Sequence, residues 1–318
     1  MISPSPTTES GGGGPLGPIE RLNFGSQRYP DRLHRLSVPP PTLWVAGSSQ
    51  VLQRPGVAVI GARAASESGR WAAREAGAVL ARAGLVVVSG LARGIDAEAH
   101  RGALEAGGVT VAVLATGIDL CYPPEHRALL RDVVRDGAAV TEFAAGTAPL
   151  PFHFPRRNRI IAGLSAAVVV VEAGKSSGSL HTVRHALDLG LEVLAYPGPV
   201  DRVQAAGSNA LLRDGARIVL GSDDLLQSLA CCPELVLKDA HGQIPLGLVP
   251  APPGEMGSLW ELLAEGPSTA DALVAQSGLP TGRALAALSC LEMEGWIELR
   301  PGGQFRRTAP TVLQSQSG

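Results

Sequence analysis

Aromatic side chains are scarce in this chain: Phe, Trp and Tyr make up 4% of 318 residues. A core must therefore be built from Ala, Val and Leu, and a hydrophobic content of 45% suffices for one large unit and a smaller one. Cysteine is scarcer still. Cys121, Cys231, Cys232 and Cys290 have no CxxC spacing and offer neither a disulfide framework nor a thiolate zinc site. No apolar run approaches the length of a bilayer span; Ala166–Val171 is among the longest. The N-terminus lacks the basic start and apolar stretch of a signal peptide. Nor does one charge dominate: at a net charge of −2, any nucleic-acid footprint must be local. These absences predict a soluble cytoplasmic protein with no membrane insertion.

What is present falls into five parts. Residues 1–18, with Ser, Thr, Pro and an unbroken Gly11–Gly14 run, read as a disordered tail. Ile19 to Gly47 reads as an irregular lead-in ending in a short strand at Leu43–Val45, which joins the main domain, and the whole domain runs over 19–230. Within it, apolar strands at Val57–Ile60, Leu85–Val88, Val109–Leu114, Ala138–Thr141, Val168–Val171, Glu192–Ala195 and Arg217–Leu220 alternate with helical segments. The helices are predicted over Ser66–Arg82, Asp96–Ala106, Glu125–Arg135, Arg159–Leu164, Ser179–Leu189 and Ser208–Arg213. Such alternation predicts an α/β fold, a Rossmann-like parallel sheet with helices on both faces, whose ligands gather at the strands' carboxyl ends. A Pro-rich linker follows at 231–254. Residues 255–310 then carry three short helices and a Gly-tipped hairpin, the pattern of a winged helix, and 311–318 form a tail.

Four stretches carry chemistry to those carboxyl ends. Ser89-Gly90-Leu91-Ala92-Arg93-Gly94 joins a strand to a helix, so its backbone N–H groups and Arg93 are expected to face an anion. Gly61-Ala62-Arg63 follows the first core strand. Phe154-Pro155-Arg156-Arg157-Asn158-Arg159, with Phe152 just before, is the most basic segment; guanidinium groups grip phosphates and aromatic faces stack bases. Lys175-Ser176-Ser177-Gly178-Ser179 opens a helix with N–H and hydroxyl donors, without being a Walker loop. A tight turn, a surface arginine and a solvated basic run are the plain readings of the same residues. Asp96 and His100 share a helix face as a stabilising pair. No nucleophile with a placed base, and no metal cluster, can be read from the chain.

Taken together, SGLARGIDAEAHRGAL at 89–104, GIDLCYPPEHRALL at 117–130, FPRRNRIIAGLS at 154–165, VVVEAGKSSGSLHTVRHAL at 169–187, YPGPVD at 196–201 and GSNALLRDGA at 207–216 resemble the DNA-processing protein A (DprA/Smf) family of bacteria. The resemblance covers about Tyr29 to Leu229, and the final module is similar to the winged helix that many members carry. It implies a strand-end pocket for single-stranded DNA, delivery of strands to RecA recombinase in natural transformation, and homodimerisation through the Rossmann-like domain. With no nucleophile, metal cluster or hydrolase glutamate to be read from the residues, binding without catalysis and without a cofactor is expected. The residues the resemblance points to, Arg63, Gly90, Arg93, Gly94, Arg156, Arg157, Asn158, Ser177, Gly178 and Ser179, coincide with those read above, to which the stretches add Gly61, Ser89, Phe154, Arg159 and Lys175. Two departures stand out. The chain before Tyr29 is too short for the helical N-terminal domain of many members, and Gly61-Ala62-Arg63 stands where Gly-Ser-Arg is expected. The competing reading is a nucleotide sensor or a nucleoside-monophosphate hydrolase of a related Rossmann-like family. Against the hydrolase, Thr182 occupies the position of its catalytic glutamate.

Overall fold

A computed structural model describes residues 16–230, 232, 235, 252, 254–263, 266, 268–293, 296–300 and 303–307. Residues 1–15 of the tail expected over 1–18, nearly all of the linker and the tail over 311–318 lie outside these residues. The described chain divides into two units, with the boundary between Ser228 and Leu229.

The first unit is built on β1 (Ile19–Asn23), β2 (Thr42–Gly47), β3 (Gly56–Ile60), β4 (Val86–Ser89), β5 (Thr110–Val113), β6 (Ala138–Thr141), β7 (Ala167–Val170), β8 (Glu192–Ala195) and β9 (Arg217–Ile218). They form one sheet in the order β1-β2-β6-β5-β4-β3-β7-β8-β9. From β6 to β9 all neighbours are parallel, while β2 joins β6 and β1 joins β2 antiparallel. Helices α1 (Glu67–Arg82), α2 (Ile95–Glu105), α3 (Arg127–Asp136), α4 (His153–Gly163), α5 (Leu180–Asp188), α6 (Ala206–Arg213) and α7 (Ser222–Ala230) connect and follow the strands. Central strands covered on both faces must be apolar on both faces. Val57, Ala58 and Val59 in β3 and Val168, Val169 and Val170 in β7 are all 0% exposed. The fold is thus α/β and mostly parallel, with an aromatic-poor core.

Four expectations need correction. Ile19–Asn23 is a strand rather than irregular, because its pairing with β2 extends the sheet by one ladder. Leu16 also packs against the core, so the tail ends earlier than residue 18. The helix expected over Arg159–Leu164 begins six positions earlier, at His153. Pro155 is no obstacle, because first-turn N–H groups have no intrahelical partner to lose. The last strand covers only Arg217–Ile218, and Ser222–Ala230 is a helix that the alternation did not reveal.

In the second unit, α8 (Glu255–Leu262), α9 (Ala270–Ser277) and α10 (Thr281–Met293) pack with a three-stranded sheet of β10 (Ser268–Thr269), β11 (Ile297–Arg300) and β12 (Gln304–Arg307). Leu259, Leu273, Ala284 and Leu291 are its fully buried centre. Arg307 donates to the Trp260 carbonyl and lies 3.8 Å over the Trp260 ring. This is a winged helix.

Candidate functional site

Strand order places the site. β3 and β7 are neighbours, and the crossovers leaving them run to opposite sides, β3 to β4 and β7 to β8, which opens a crevice at their carboxyl ends. A cavity of roughly 690 Å³ fills that crevice. Gly61, Ala62, Arg63 and Ala64 line it from the end of β3, and Ser176 to Ser179 from the segment after β7. Tyr122, Phe154, Arg157 and Asn158 close other sides, with Asp96 and Thr182 at the wall.

Arg63 is exposed, and its guanidinium lies 4.9 Å from the Phe154 ring centre. Phe154 meets Tyr122 edge to face at 5.6 Å between centroids. Arg63 therefore stands on an aromatic pair, a cation held in place over a π face. Ser177 and Ser179 share a hydroxyl hydrogen bond of 2.7 Å just before α5, which leaves one hydroxyl hydrogen of the pair free near a helix N-terminus.

Arg157 has a different part. It is 4% exposed, and its Nη1 donates to the Gly90 carbonyl at 2.7 Å and to the Val113 carbonyl. Its Nε donates to Asn158 Oδ1 at 3.2 Å, and Asn158 in turn donates to the Gly178 carbonyl at 3.1 Å. The two side chains thus tie the turn after β4, the end of β5 and the turn before α5 together. Burial pushes the Arg157 pKa down to about 10, with the Asp96 charge opposing. Burial likewise pushes Asp96 above the usual carboxylate range, against the pull of Arg157.

Two N–H groups of the turn over residues 89–94 are taken by the protein itself. Asp96 Oδ2 accepts from Gly90 N at 3.1 Å and from Ala92 N at 3.4 Å. The protein's own carboxylate occupies the place at the start of α2 where an anion was expected. The N–H of Ile95 is also taken, by the Ala62 carbonyl at 3.3 Å. Gly94, at φ 73°, permits that contact, because a Cβ would strike the Ala62 carbonyl. Gly90 is pressed against the Arg157 guanidinium in the same way. Asp96 and His100 do not pair with each other. His100 Nδ1 lies 2.6 Å from Thr110 Oγ1, whose own hydroxyl donates to the Val87 carbonyl, so the imidazole supplies the hydrogen. Burial holds His100 down to about 3, which leaves it neutral and structural.

Of the residues picked from the sequence, Gly61, Arg63, Phe154, Arg157, Asn158, Ser177, Gly178 and Ser179 line the cavity. Ser89, Gly90 and Gly94 stand behind it; Ser89 is 0% exposed and donates to the Val59 carbonyl. Arg93 is outside the lining, in an ion pair with Glu125. Arg156 and Arg159 both bind Glu142, at 2.8 and 2.6 Å, and that carboxylate side chain is only 1% exposed. Lys175 is exposed outside the lining. One buried acid, 14 and 17 positions upstream, thereby pairs with two of the three arginines of the run. Sequence reasoning missed Tyr122 and Gln204 as lining residues; Tyr122 had a signal in the Tyr-Pro-Pro turn, Gln204 had none.

Residues 20–230 match the family described as DNA recombination-mediator protein A, and residues 248–303 match the DprA winged helix domain. Protein Smf of Synechocystis is 36% identical over 314 residues, covering 88% of this chain and 78% of that protein. The structure of DNA processing protein A from Streptococcus pneumoniae superposes with a TM-score of 0.63 at 38% identity, over 66% of this chain and 74% of that one. A DNA processing protein A structure from Helicobacter pylori, described for its single-stranded DNA binding mode, gives a TM-score of 0.61 at 26% identity, over 67% of this chain and 95% of that one. With a family match over most of its length and a relative sharing more than a third of its residues, the chain belongs to the DprA/Smf family of DNA-processing proteins.

Proposed function

We propose that the cavity grips a single DNA strand, and that the protein shields incoming strands and passes them to RecA recombinase during natural transformation and recombination. The observation that carries the strand reading is Arg63. It lines the crevice on an aromatic pair, and among the described residues no carboxylate is ion-paired with it. A phosphate on Arg63 and the Ser177–Ser179 pair, with a base against Phe154 and Tyr122, uses both halves of a nucleotide without reading its sequence. The H. pylori relative's single-stranded DNA binding supports the same assignment here. The RecA and transformation parts rest on the family resemblance. The role is binding rather than cleavage, since Thr182, 1% exposed, stands in place of the hydrolase glutamate. Oligo-dT is expected to bind at least tenfold more tightly than duplex of equal length, with affinity falling steeply as salt rises. Equal affinity for duplex, or indifference to salt, would sink the proposal.

Two further readings share one test. We read the β9 edge, where Ile218 and Leu220 are 50% and 69% exposed, as the homodimer contact, because a free apolar strand edge invites pairing. We read the winged helix as a protein-contacting or regulatory module rather than a strand-binding one. Seven acids face four arginines over residues 255–318, and Arg283, Arg306 and Arg307 are already engaged by Glu255, Glu298 and the Trp260 carbonyl. A chain cut after Ala230 should sediment as a dimer and hold oligo-dT within about threefold of the full chain. Loss beyond about tenfold, roughly 1.4 kcal/mol, in a truncated chain that is still dimeric would make the wing a DNA-binding element, and a folded monomer would discard the edge contact.

A further inference from the structure

The turn that carries Arg63 is a partition between two cavities. Gly61 to Ala64 line the first, and Ala64 to Ser66 line a second cavity of similar size on the other side. Such a turn, between β3 and α1, has few side chains of its own to fix it: Ala62, Ala64 and Ala65 are alanines. Ile95 N and Arg70 Nη1 donate to its Ala62 and Ala65 carbonyls, at 3.3 and 2.7 Å, and a residue more than a hundred positions away takes up its N–H groups. The Glu172 carbonyl accepts from Ala62 N at 2.6 Å, and the Glu172 carboxylate accepts from Ser66 N at 3.1 and 3.3 Å and from Ser66 Oγ. Ser66 Oγ accepts in turn from Gly69 N at 3.0 Å as the N-cap of α1. One residue thus pins the turn at both ends, one residue before Arg63 and three after it. Glu172 is 8% exposed, lines the second cavity and does not line the first. A carboxylate in that place cannot touch a strand bound at Arg63. It acts through the backbone.

We infer that Glu172 is a positioning residue for strand binding, holding the 61–66 turn so that Arg63 is already aimed across Phe154 before a phosphate arrives. The inference rests on the strand-binding reading of the cavity. Preorganised donors bind better because the ordering cost is met on folding rather than on association. Without the clamp, the turn must be ordered at the moment of binding, and Arg63 loses its advantage. The role is tied to accepting hydrogen bonds rather than to negative charge. Glu172→Gln keeps an oxygen for Ser66 N and a group that pairs with Ser66 Oγ, whereas Glu172→Ala keeps neither.

The test is a double-mutant cycle on oligo-dT affinity in the full chain, with thermal unfolding recorded for each variant. Glu172→Ala is expected to bind about tenfold more weakly and Glu172→Gln within about threefold of the parent. In the Arg63→Ala background, adding Glu172→Ala is expected to change affinity by less than twofold, since there is no longer an arginine to aim. Should Glu172→Ala fail to fold, Glu172→Asp, one methylene too short to reach Ser66, is expected to show the same loss and the same non-additivity. Multiplying losses, unchanged binding by folded Glu172→Ala, or tighter binding by Glu172→Gln would each overturn the inference while leaving the cavity reading intact. Parental affinity in Arg63→Ala alone would overturn both.

Discussion

Arg63→Ala should weaken oligo-dT binding by about thirtyfold, on the order of 2 kcal/mol for a charge-assisted phosphate contact. The loss should be equal for every base composition, because a guanidinium on a phosphate carries no sequence information. The salt dependence should fall by roughly 0.7 in the slope of log K against log salt, the share of one phosphate on a single strand. Arg63→Lys should recover little of the loss, since an ammonium lacks the planar fork that lies over Phe154. Arg93→Ala is the informative partner experiment. Sequence reasoning gives Arg93 the same role, but it sits in an ion pair with Glu125 outside the cavity lining, so its removal should change affinity by less than about twofold. Equal losses in the two variants, measured by fluorescence anisotropy, would refute the assignment of Arg63 as the principal phosphate contact.

Arg157→Ala should act on stability first. The side chain is buried, and its removal leaves the Gly90 and Val113 carbonyls and the Asp96 carboxylate without the cation they surround. Breaking a buried charged network by deleting one member costs about 3–5 kcal/mol, a large share of a domain's net stability. The urea midpoint of the first unit should drop accordingly, while that of the winged helix stays where it was. Because the chain holds two units, the two transitions must be followed separately. Arg157→Lys should lose a comparable amount, since a lysine cannot reach two carbonyls and Asn158 at once. A change below about 1 kcal/mol in either variant would show that the network is solvated rather than buried.

Much of this was legible before any coordinates. The α/β architecture followed from Val-rich runs alternating with amphipathic segments, and the crevice from the rule that ligands gather at strand ends. Arg63 was legible because it directly follows a strand, and Phe154 because aromatics are rare here. What could not be read was which charges are already spent. Arg156 and Arg159 lie three positions apart with no acid in their own segment, yet Glu142 reaches both once the strand end of β6 faces α4. Asp96 reads as a helix-start stabiliser, and in the fold it also accepts from two N–H groups of the Gly-rich stretch, Gly90 and Ala92. Both features have one origin. Composition counts ionisable groups, whereas recognition depends on the charge left over after long-range pairing. The strand at Ile19–Asn23 escaped notice for a related reason: its partner supplies the order that its own sequence does not specify.

The pairing within the basic run also bears on how a polymer would be held. With Arg156 and Arg159 bound to Glu142 and Arg157 enclosed, a nucleotide in the proposed site would meet, among the described residues, one lining arginine without a carboxylate partner. A site that grips a single repeating unit treats every unit of a homopolymer as an equivalent register. The number of ways to bind then grows in proportion to strand length, and each tenfold gain in registers adds about 1.4 kcal/mol of purely statistical stabilisation. On the proposed strand-binding reading, affinity would therefore track how much unpaired strand is present rather than what it spells.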